Sequence, residues 1–367
     1  MTEKISIMIV DDSALMRSLV SKFFDGLPDI KVAGTAMDGQ FALKKLNSLK
    51  PHLIILDLEM PRMNGIEFLK NRQKLKLEVP VIILSSLARK GASVTMEALA
   101  LGASDFVLKP SERENIQNTR EQLIQLVRIY GRNYRHRLQL TRKRKTVPAS
   151  AEDKRPEAVR PASTAVISDR KPGREPGQVE LIAIGISTGG PNALRSFLPN
   201  ISSPQGMLIV QHMPAGFTKE FAESLNKICP MEVKEAEDGD LIKAGRILVA
   251  PGDQHLTIEG KTLAKTIKLS DSGPVNGHRP SADVLFEAVA RHYENRSIAA
   301  IMTGMGKDGA SGIGSIYRAG SVTLAQDEAS CVVFGMPRIA IERGVISRVV
   351  PLQEMARTIN ELAKEHS

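Results

Sequence analysis

The chain has 367 residues, a formal net charge of +9, 42% hydrophobic and 4% aromatic residues, no tryptophan and two widely separated cysteines. This length fits two domains of ordinary size plus connecting segments, and the aliphatic composition is typical of parallel sheets buried on both faces. No apolar run reaches the roughly 18 residues of a membrane-spanning helix, and the cysteine spacing fits neither a metal nor a redox site, so we expect a cytoplasmic protein that is not embedded in a membrane.

The first part of the chain, through residue 130, alternates short apolar runs with stretches of helical periodicity. The apolar runs predict strands at Ile5–Val10, Ile30–Ala36, Leu53–Leu56, Val79–Leu84 and Phe106–Leu108. The periodic stretches predict helices at Ala14–Phe24, Gln40–Leu49 and Gly65–Leu75. Strands that alternate with helices are typical of the α/β class, here a doubly wound parallel sheet with helices on both faces.

Polar residues stand at the ends of these predicted strands. Asp11 and Asp12 follow the first strand, Asp57 follows the third, and Ser85 and Lys109 follow the fourth and fifth. Ligands of open parallel sheets bind beyond the carboxyl ends of the strands, so we expect these side chains to share one edge. Three carboxylates are tolerable there beside Mg²⁺, and one of them can then attack a phosphoryl donor. Taken alone, the aspartate pair would indicate only a turn or a helix cap.

These segments resemble the receiver domain of bacterial response regulators, which has a flavodoxin-like fold. The matching segments are Val10–Ser13, Leu56–Gly65, Leu84–Ser86 and Gly102–Pro110. The resemblance implies that a histidine kinase is the phosphodonor for Asp57. It implies that Mg²⁺ is held by Asp11, Asp12, Asp57 and the Glu59 carbonyl region. It also implies a cis peptide at Lys109–Pro110 and switch residues at Ser85, Phe106 and Lys109.

The composition changes between residues 131 and 178. Five prolines interrupt this segment, and seven basic residues lie between Arg132 and Lys145 with no acidic residue among them. We predict a flexible linker, basic first and then rich in proline, alanine and serine, whose first part, through Leu140, continues the preceding helix. Because the excess charge is concentrated here, we expect no nucleic-acid partner. The basic charge indicates either a solvated spacer or contact with the acidic surface of a partner or with anionic lipids.

The alternation of strands and helices resumes at Val179, so the predicted domains are 1–130 and 179–367, joined by the linker 131–178. Strands are predicted at Val179–Ile184, Met207–Val210, Arg246–Val249, Ile298–Met302 and Ser321–Leu324, and a hairpin between Thr257 and Leu269. Helices are predicted at Asn192–Leu198, Thr218–Ile228, Ser281–Tyr293, Ala310–Ala319 and Leu352–Ala363. A second doubly wound parallel sheet is therefore expected.

A serine, a histidine and an aspartate follow three of these strands. The turn Gly185-x-Ser187-x-Gly189 fits a nucleophile elbow, although this segment alone also fits a phosphate-binding turn or a plain turn. His212 and Asp308 follow the strands that end near residues 211 and 302. If the three side chains meet at one sheet edge, His212 can accept the Ser187 proton and Asp308 can fix the imidazole tautomer.

Other histidines and aspartates compete for these roles. His255 follows a Pro-Gly turn and His292 lies inside a predicted helix, so both are weaker candidates for the base. His278 lies in a loop from which it can contact substrate. Asp283 and Asp327 are the competing carboxylates.

The chain order Ser…His…Asp differs from the order Ser…Asp…His of α/β hydrolases. The order and the local motifs are instead similar to the Rossmann-like catalytic domain of the chemotaxis protein-glutamate methylesterase family. The matching segments are Ser187–Gly190, Gln211–Pro214, Ala250–Gly252, Arg279–Ser281, Asp283–Phe286, Met302–Gly309 and Phe334–Pro337.

The resemblance implies a catalytic domain without a cofactor, in which Ser187 is the nucleophile, His212 the base and Asp308 the orienting carboxylate. Backbone N–H groups near Thr188 and Met305 are candidates for the oxyanion hole. The implied reactions are hydrolysis of glutamate methyl esters on methyl-accepting chemoreceptors and deamidation of receptor glutamines, which give sensory adaptation in chemotaxis. The resemblance also implies that the unphosphorylated receiver blocks the catalytic edge and that phosphorylation of Asp57 releases it.

Three other functions are alternatives to this one. A DNA-binding response regulator is disfavoured, because the second half alternates strands and helices and has no helix-turn-helix segment. A phosphorelay adaptor and a regulated hydrolase of a different acylated protein both stay open. The sequence does not determine the oligomeric state.

Overall fold

The structure is a computed structural model that describes residues 4–86, 89–110, 113–145, 175–260 and 264–366. The chain divides into two compact units, Met1–Pro156 and Glu157–Ser367. Each unit contains one parallel sheet with flanking helices, which confirms the predicted fold class. Within the described ranges, none of the helices has both the length and the apolar character needed to cross a membrane.

The first unit is a five-stranded parallel sheet in the order β2-β1-β3-β4-β5. Its elements are β1 (Ile5–Val10), α1 (Ala14–Lys22), β2 (Ile30–Ala36), α2 (Gly39–Leu49), β3 (Leu53–Asp57), α3 (Gly65–Lys74), β4 (Val81–Ser85), α4 (Arg89–Ala100), β5 (Asp105–Leu108) and α5 (Arg113–Lys145). Every residue of β1, β3 and β4 is buried, as expected for central strands of a sheet covered on both faces.

Side-chain caps explain where several of these helices begin. Ser13 and Asp38 each accept a hydrogen bond from a backbone N–H in the first turn of α1 and α2. Asn64 and Glu67 form a capping box at the start of α3. These caps follow the loops after β1, β2 and β3, so they fix the paths of the loops that carry the acidic residues.

The long helix α5 runs five residues beyond Leu140, the predicted limit of its continuation. The first fifteen residues of the predicted linker, 131–145, are therefore helical. Its proline-rich part, 146–174, lies outside the described residues. The predicted hairpin and all ten predicted strands are present. The helices Arg89–Ala100 and Met336–Glu342 and the strands Glu232–Glu235 and Arg348–Val350 were not predicted from the sequence.

The second unit is a seven-stranded parallel sheet in the order β14-β13-β12-β6-β7-β9-β8, with a separate antiparallel hairpin of β10 and β11. Its strands are β6 (Leu181–Ile186), β7 (Gly206–Gln211), β8 (Glu232–Glu235), β9 (Arg246–Val249), β10 (His255–Glu259), β11 (Thr266–Ser270), β12 (Ser297–Ile301), β13 (Val322–Gln326) and β14 (Arg348–Val350). Its helices are α6 (Gly190–Phe197), α7 (Phe217–Asn226), α8 (Ala282–Tyr293), α9 (Gly312–Arg318), α10 (Met336–Glu342) and α11 (Leu352–Glu365).

The three central strands β12, β6 and β7 are fully buried. On one face, the aliphatic side chains of the sheet pack against Leu285 and Phe286 of α8 in a single hydrophobic core. In the strand order, β7 is next to β6 in one direction, and the later strands β12, β13 and β14 follow from β6 in the opposite direction. The carboxyl end of β6 is therefore a topological switch point, where open α/β sheets bind their ligands.

Candidate active site and phosphorylation site

Ser187, His212 and Asp308 meet at this switch point. Ser187 directly follows β6, His212 directly follows β7, and Asp308 lies in the loop after β12. His212 Nδ1 is 3.1 Å from Ser187 Oγ, and His212 Nε2 is 2.8 Å from Asp308 Oδ2. Gly189 has φ +78°, a conformation that favours glycine, and it ends the tight turn between Ser187 and α6. The structure thus brings the three predicted side chains into one hydrogen-bonded series.

The series determines which ring nitrogen of His212 holds the proton. An ionised carboxylate only accepts hydrogen bonds, so Nε2 must carry the hydrogen that it donates to Asp308. Nδ1 is then the acceptor and faces the hydroxyl of Ser187. This is the protonation state that a general base needs before it takes a proton from a nucleophile.

The Asp308 carboxylate is buried and surrounded by hydrogen-bond donors. Oδ2 also accepts from the Ala282 N–H (2.7 Å), and Oδ1 accepts from Ser281 Oγ (2.6 Å) and Asn276 Nδ2 (3.1 Å). Ser281 is the N-cap of α8, so the carboxylate lies at the positive end of that helix. Burial by itself would raise the pKa of Asp308, but the hydrogen bonds from His212, Ser281 and Ala282 hold this pKa well below its usual range.

The competing aspartates have other partners. Asp283 Oδ1 accepts from the backbone N–H groups of Ser311 and Gly312 at the start of α9. Asp327 accepts from the N–H and hydroxyl of Ser330. Asp308 is thus the carboxylate that contacts His212.

The competing histidines also differ from His212 in their surroundings. His255 is fully buried, and its Nδ1 accepts from the Ser281 N–H while its Nε2 lies 3.1 Å from a backbone carbonyl. His292 lies in the last turn of α8. His278 stacks on the ring of His212, with the centroids 3.8 Å apart and the planes inclined by 11°. Its contact with substrate stays a prediction.

The stacked ring of His278 should make stability depend on pH. Burial, followed by the neighbouring His212, lowers the pKa of His278 from 6.5 to about 4. Between these values the unfolded chain binds a proton that the folded chain excludes, so the folded state loses stability as the pH falls from 6.5 to 4. Because the ring is only half-buried, solvent screening keeps this loss well below the roughly 3 kcal/mol of the full shift. We expect His278→Phe to remove this loss. The measurement is the free energy of unfolding of the catalytic unit at pH 7 and pH 4.5, in the wild type and in His278→Phe. An equal pH dependence in the two proteins would contradict the interpretation.

The oxyanion candidates lie beside Ser187. The Ser187 N–H donates to the Thr303 carbonyl and is not available. In the described part of the chain, the N–H groups of Thr188 and Met305 have no hydrogen-bond acceptor. A Cβ on Gly304 would lie 2.8 Å from Ser187 Cβ, so the loop that leads into Met305 passes directly against the nucleophile. The role of the two N–H groups stays a prediction.

The first unit collects the predicted acidic residues at the carboxyl edge of its sheet. Carboxylate oxygens of Asp11, Asp12 and Asp57 all lie within 4.8 Å of one another. Lys109 Nζ is 2.6 Å from Asp57 Oδ2 and 3.2 Å from Asp11 Oδ2. Burial raises the pKa of Asp57 to about 6, with Lys109 opposing the rise and Asp11 adding to it. The ion pairs raise the pKa of Lys109 despite its burial.

The donor set suits a hard divalent cation. Asp11 Oδ2 is buried and, among the described residues, receives no hydrogen bond, since its ion pair with Lys109 lacks hydrogen-bond geometry. Carboxylate oxygens are the preferred ligands of Mg²⁺, which would satisfy this oxygen. Glu59 is exposed, and its N–H donates to Asp57 Oδ1 at 3.3 Å, while its carboxylate is not a member of the cluster.

The predicted switch residues occupy the two adjacent strand ends. Ser85 ends β4, and its hydroxyl lies 2.6 Å from Thr95 Oγ1 of α4. Phe106 is half-buried on β5, and Lys109 follows that strand. Their switch role stays a prediction. The cis peptide implied for Lys109–Pro110 is wrong, because Arg279–Pro280 is the one cis bond in the described ranges. Cis and trans X–Pro bonds differ by only about 0.5–1 kcal/mol, so a local motif does not determine the isomer.

Two family models match the two halves of the chain. The response regulator receiver domain model matches residues 7–121, and the CheB methylesterase model matches residues 182–359. The protein-glutamate methylesterase/protein-glutamine glutaminase of Treponema denticola is 52% identical over 371 residues, covering 99% of both chains. The protein of the same name from Treponema pallidum is 47% identical over 395 residues, covering 99% of this chain and 98% of its own length.

One solved structure is similar to about half of the chain. The crystal structure of the Thermotoga maritima CheB methylesterase catalytic domain is 39% identical, with a TM-score of 0.49, and the match covers 50% of this chain and 98% of that one. The two relatives, by contrast, match along nearly the whole chain, receiver segment included. This chain belongs to the protein-glutamate methylesterase/protein-glutamine glutaminase family, with a response regulator receiver domain ahead of a CheB methylesterase domain.

Proposed function

We propose that this protein is a phosphorylation-controlled hydrolase that removes methyl groups from glutamate methyl esters of chemoreceptors and deamidates receptor glutamines. The observation that carries the proposal is the hydrogen-bonded series from Ser187 through His212 to Asp308 at the switch point of the catalytic sheet. The names of the relatives supply the substrate class. Action on cytoplasmic receptor regions would give sensory adaptation.

The geometry supports an acyl transfer in two steps. Ser187 Oγ attacks the carbonyl carbon of the ester while His212 Nδ1 takes the hydroxyl proton, and Asp308 stabilises the resulting imidazolium. The N–H groups of Thr188 and Met305 are the proposed donors to the oxyanion. His212 then returns the proton to the leaving methoxide, and methanol departs from the acyl-enzyme.

Water completes the reaction by the same route. His212 deprotonates a water molecule that attacks the acyl-enzyme, and the proton passes to Ser187 as the glutamate carboxylate is released. A glutamine side chain follows the same steps, with ammonia leaving in place of methanol. One site therefore serves both reactions. Release of methanol from methylated receptors and of ammonia from receptor glutamines tests the proposal, and release of neither product would overturn it.

In the receiver domain we propose Asp57 as the phosphoryl acceptor and a histidine kinase as the donor. Asp11, Asp12 and Asp57 would hold Mg²⁺, with the Glu59 carbonyl as a further ligand. When bound, the ion would balance negative charge on the transferred phosphoryl oxygens. Lys109 pairs with the carboxylate of Asp57, and this ion pair supports the proposal that Lys109 would contact the new phosphoryl group.

We also propose that phosphorylation of Asp57 relieves a block of the catalytic edge by the receiver domain. The proposed domain limits are 1–130 and 179–367, with 131–178 as the connection. The connection keeps the two domains at high effective concentration, so a weak contact between them suffices for control. It begins as the helical continuation of α5.

Asp57→Asn should abolish activation. In the full-length protein with Mg²⁺, a small acyl-phosphate donor should raise the methanol-release rate of the wild type about 5- to 150-fold, the usual range of coupling between two sites. The variant lacks the nucleophilic carboxylate, so its rate should not respond. Asp25→Asn, an exposed aspartate outside the cluster, is the matched control and should respond as the wild type does. Activation of Asp57→Asn by the donor would contradict the assignment.

A further inference from the structure

One side-chain amide holds together the backbones that carry the nucleophile and the base. Gln211 is the last residue of β7 and is only 2% exposed. Its Nε2 donates to the carbonyl oxygens of Ser187 and His212, each at 3.1 Å. An amide nitrogen has two hydrogens, so these two bonds use its whole donor capacity.

The amide acts where the sheet hydrogen bonds end. The last pair in register between β6 and β7 is Ile186 with Gln211, and the final bond between the strands runs from the His212 N–H to the Ile186 carbonyl. Ser187 and His212 thus lie just beyond the ladder. The Gln211 amide supplies the next connection between them.

The fit of this amide depends on a neighbouring glycine. A Cβ on Gly190 would lie 2.0 Å from Gln211 Oε1 and 2.9 Å from Ile186 Cγ1. The first residue of α6 must therefore be glycine for the amide to lie beneath the turn after β6. Gln211 Oε1 itself receives no hydrogen bond from the described residues, so the two donor contacts alone orient the amide.

We propose that Gln211 is a positioning residue that sets the separation between Ser187 Oγ and His212 Nδ1. It makes no hydrogen bond to either reacting atom, and it acts by holding the backbone carbonyl groups of the two residues that carry those atoms. The proposal rests on the proposed function for its substrate. A displacement of about 1 Å at a reacting group costs roughly 10²-fold in rate, so a small loosening here should be measurable.

The decisive variant is Gln211→Met, which keeps the length of the side chain and removes both donors. We expect kcat for methanol release to fall about 10- to 100-fold with KM unchanged, because the substrate contacts are untouched while the geometry of attack is lost. Labelling of Ser187 by a fluorophosphonate should slow by a similar factor. In Gln211→Glu, the protonated form of the carboxyl group retains one hydrogen-bond donor. The kcat of this variant relative to the wild-type kcat should therefore rise as the pH falls from 8 to 6, because more of the carboxyl is protonated.

The matched control is Ser321→Ala. Ser321 is fully buried and hydrogen-bonds the Ser297 N–H and the Glu294 carbonyl at the amino ends of β12 and β13, the opposite end of the sheet from the triad. This variant should lower the unfolding temperature without changing kcat. The proposal is overturned if Gln211→Met stays within twofold of the wild-type kcat, or if Ser321→Ala loses as much activity.

The rate at which a fluorophosphonate labels Ser187 tests the positioning role of Gln211 separately from the proposed function. A wild type that is labelled at Ser187 but releases neither methanol nor ammonia overturns the proposed function, and Gln211→Met then still tests the positioning role through labelling alone. Slow labelling of this variant supports the role, and wild-type labelling overturns it.

Discussion

Replacement of Ser187 by alanine should reduce kcat for methanol release from methylated receptors by roughly 10⁴- to 10⁶-fold, the range typical for loss of a triad nucleophile. The substitution removes a single oxygen, whose partner is His212 Nδ1. The remaining rate would come from substrate binding and the oxyanion donors alone. Methanol release under saturating receptor, with the unfolding temperature measured in parallel, gives the loss directly.

Ser196→Ala is the control for this experiment. Ser196 also lies on the segment after β6, but its hydroxyl donates only to the Ala193 carbonyl within α6, so the variant should keep wild-type activity. Phosphorylation of Asp57 should be unaffected by Ser187→Ala. A folded Ser187→Ala protein that retains more than 1% of the wild-type methanol-release rate would contradict the assignment of Ser187 as the nucleophile. A wild type that releases no methanol, with signalling preserved in Ser187→Ala, would favour the adaptor interpretation, in which the second domain only binds a partner.

The strands were predictable because buried strands have a distinctive aliphatic composition. The residues of β1, β3, β6 and β12 are nearly all aliphatic, and each run ends at a polar or glycine-rich turn. Once the strands are placed, the rule that parallel strands carry sites at their carboxyl ends brings Ser187, His212 and Asp308 together without any knowledge of loop paths.

The missed elements lack that signal. The edge strand β8 has the sequence Glu-Val-Lys-Glu, which carries too few apolar residues to indicate a strand, and β14 has only three residues. Pairing with a neighbouring strand, rather than local pattern, makes them strands. The first turn of α4 contains Gly91, a poor helix former, which weakened the helical pattern there.

The surroundings of the triad were also beyond the reach of local pattern. Asn276 contacts Asp308 across 32 positions of sequence, and His278 stacks on His212 across 66. Both contacts depend on how the loop before α8 returns over the sheet edge. The one available signal was the position of Ser281 before an apolar helical run, which is typical of an N-cap and therefore of a site that favours a carboxylate.

Asp308→Asn should lower kcat by up to about 10⁴-fold while the protein remains folded. The carboxylate accepts five hydrogen bonds, including one from the Asp283 N–H at 3.4 Å. An amide replaces one accepting oxygen by a donating NH₂ group. If the NH₂ group takes the place of Oδ2, it faces His212 Nε2 and forces the ring proton onto Nδ1, where the ring can no longer accept the Ser187 proton. If it takes the place of Oδ1, the tautomer survives but the negative charge that stabilises the imidazolium is lost.

The same substitution should leave a signature in stability. Because the folded pKa of Asp308 is depressed, its ionised form stabilises the fold above the unfolded pKa near 3.8, and this contribution declines as the pH falls toward the folded value. The difference in unfolding free energy between wild type and Asp308→Asn should therefore be largest at neutral pH and shrink below pH 4. Asp271→Asn, at an exposed position, should show neither effect. Activity of Asp308→Asn within tenfold of the wild type would show that the charge of this carboxylate is dispensable, and would leave Ser187 and His212 to act without it.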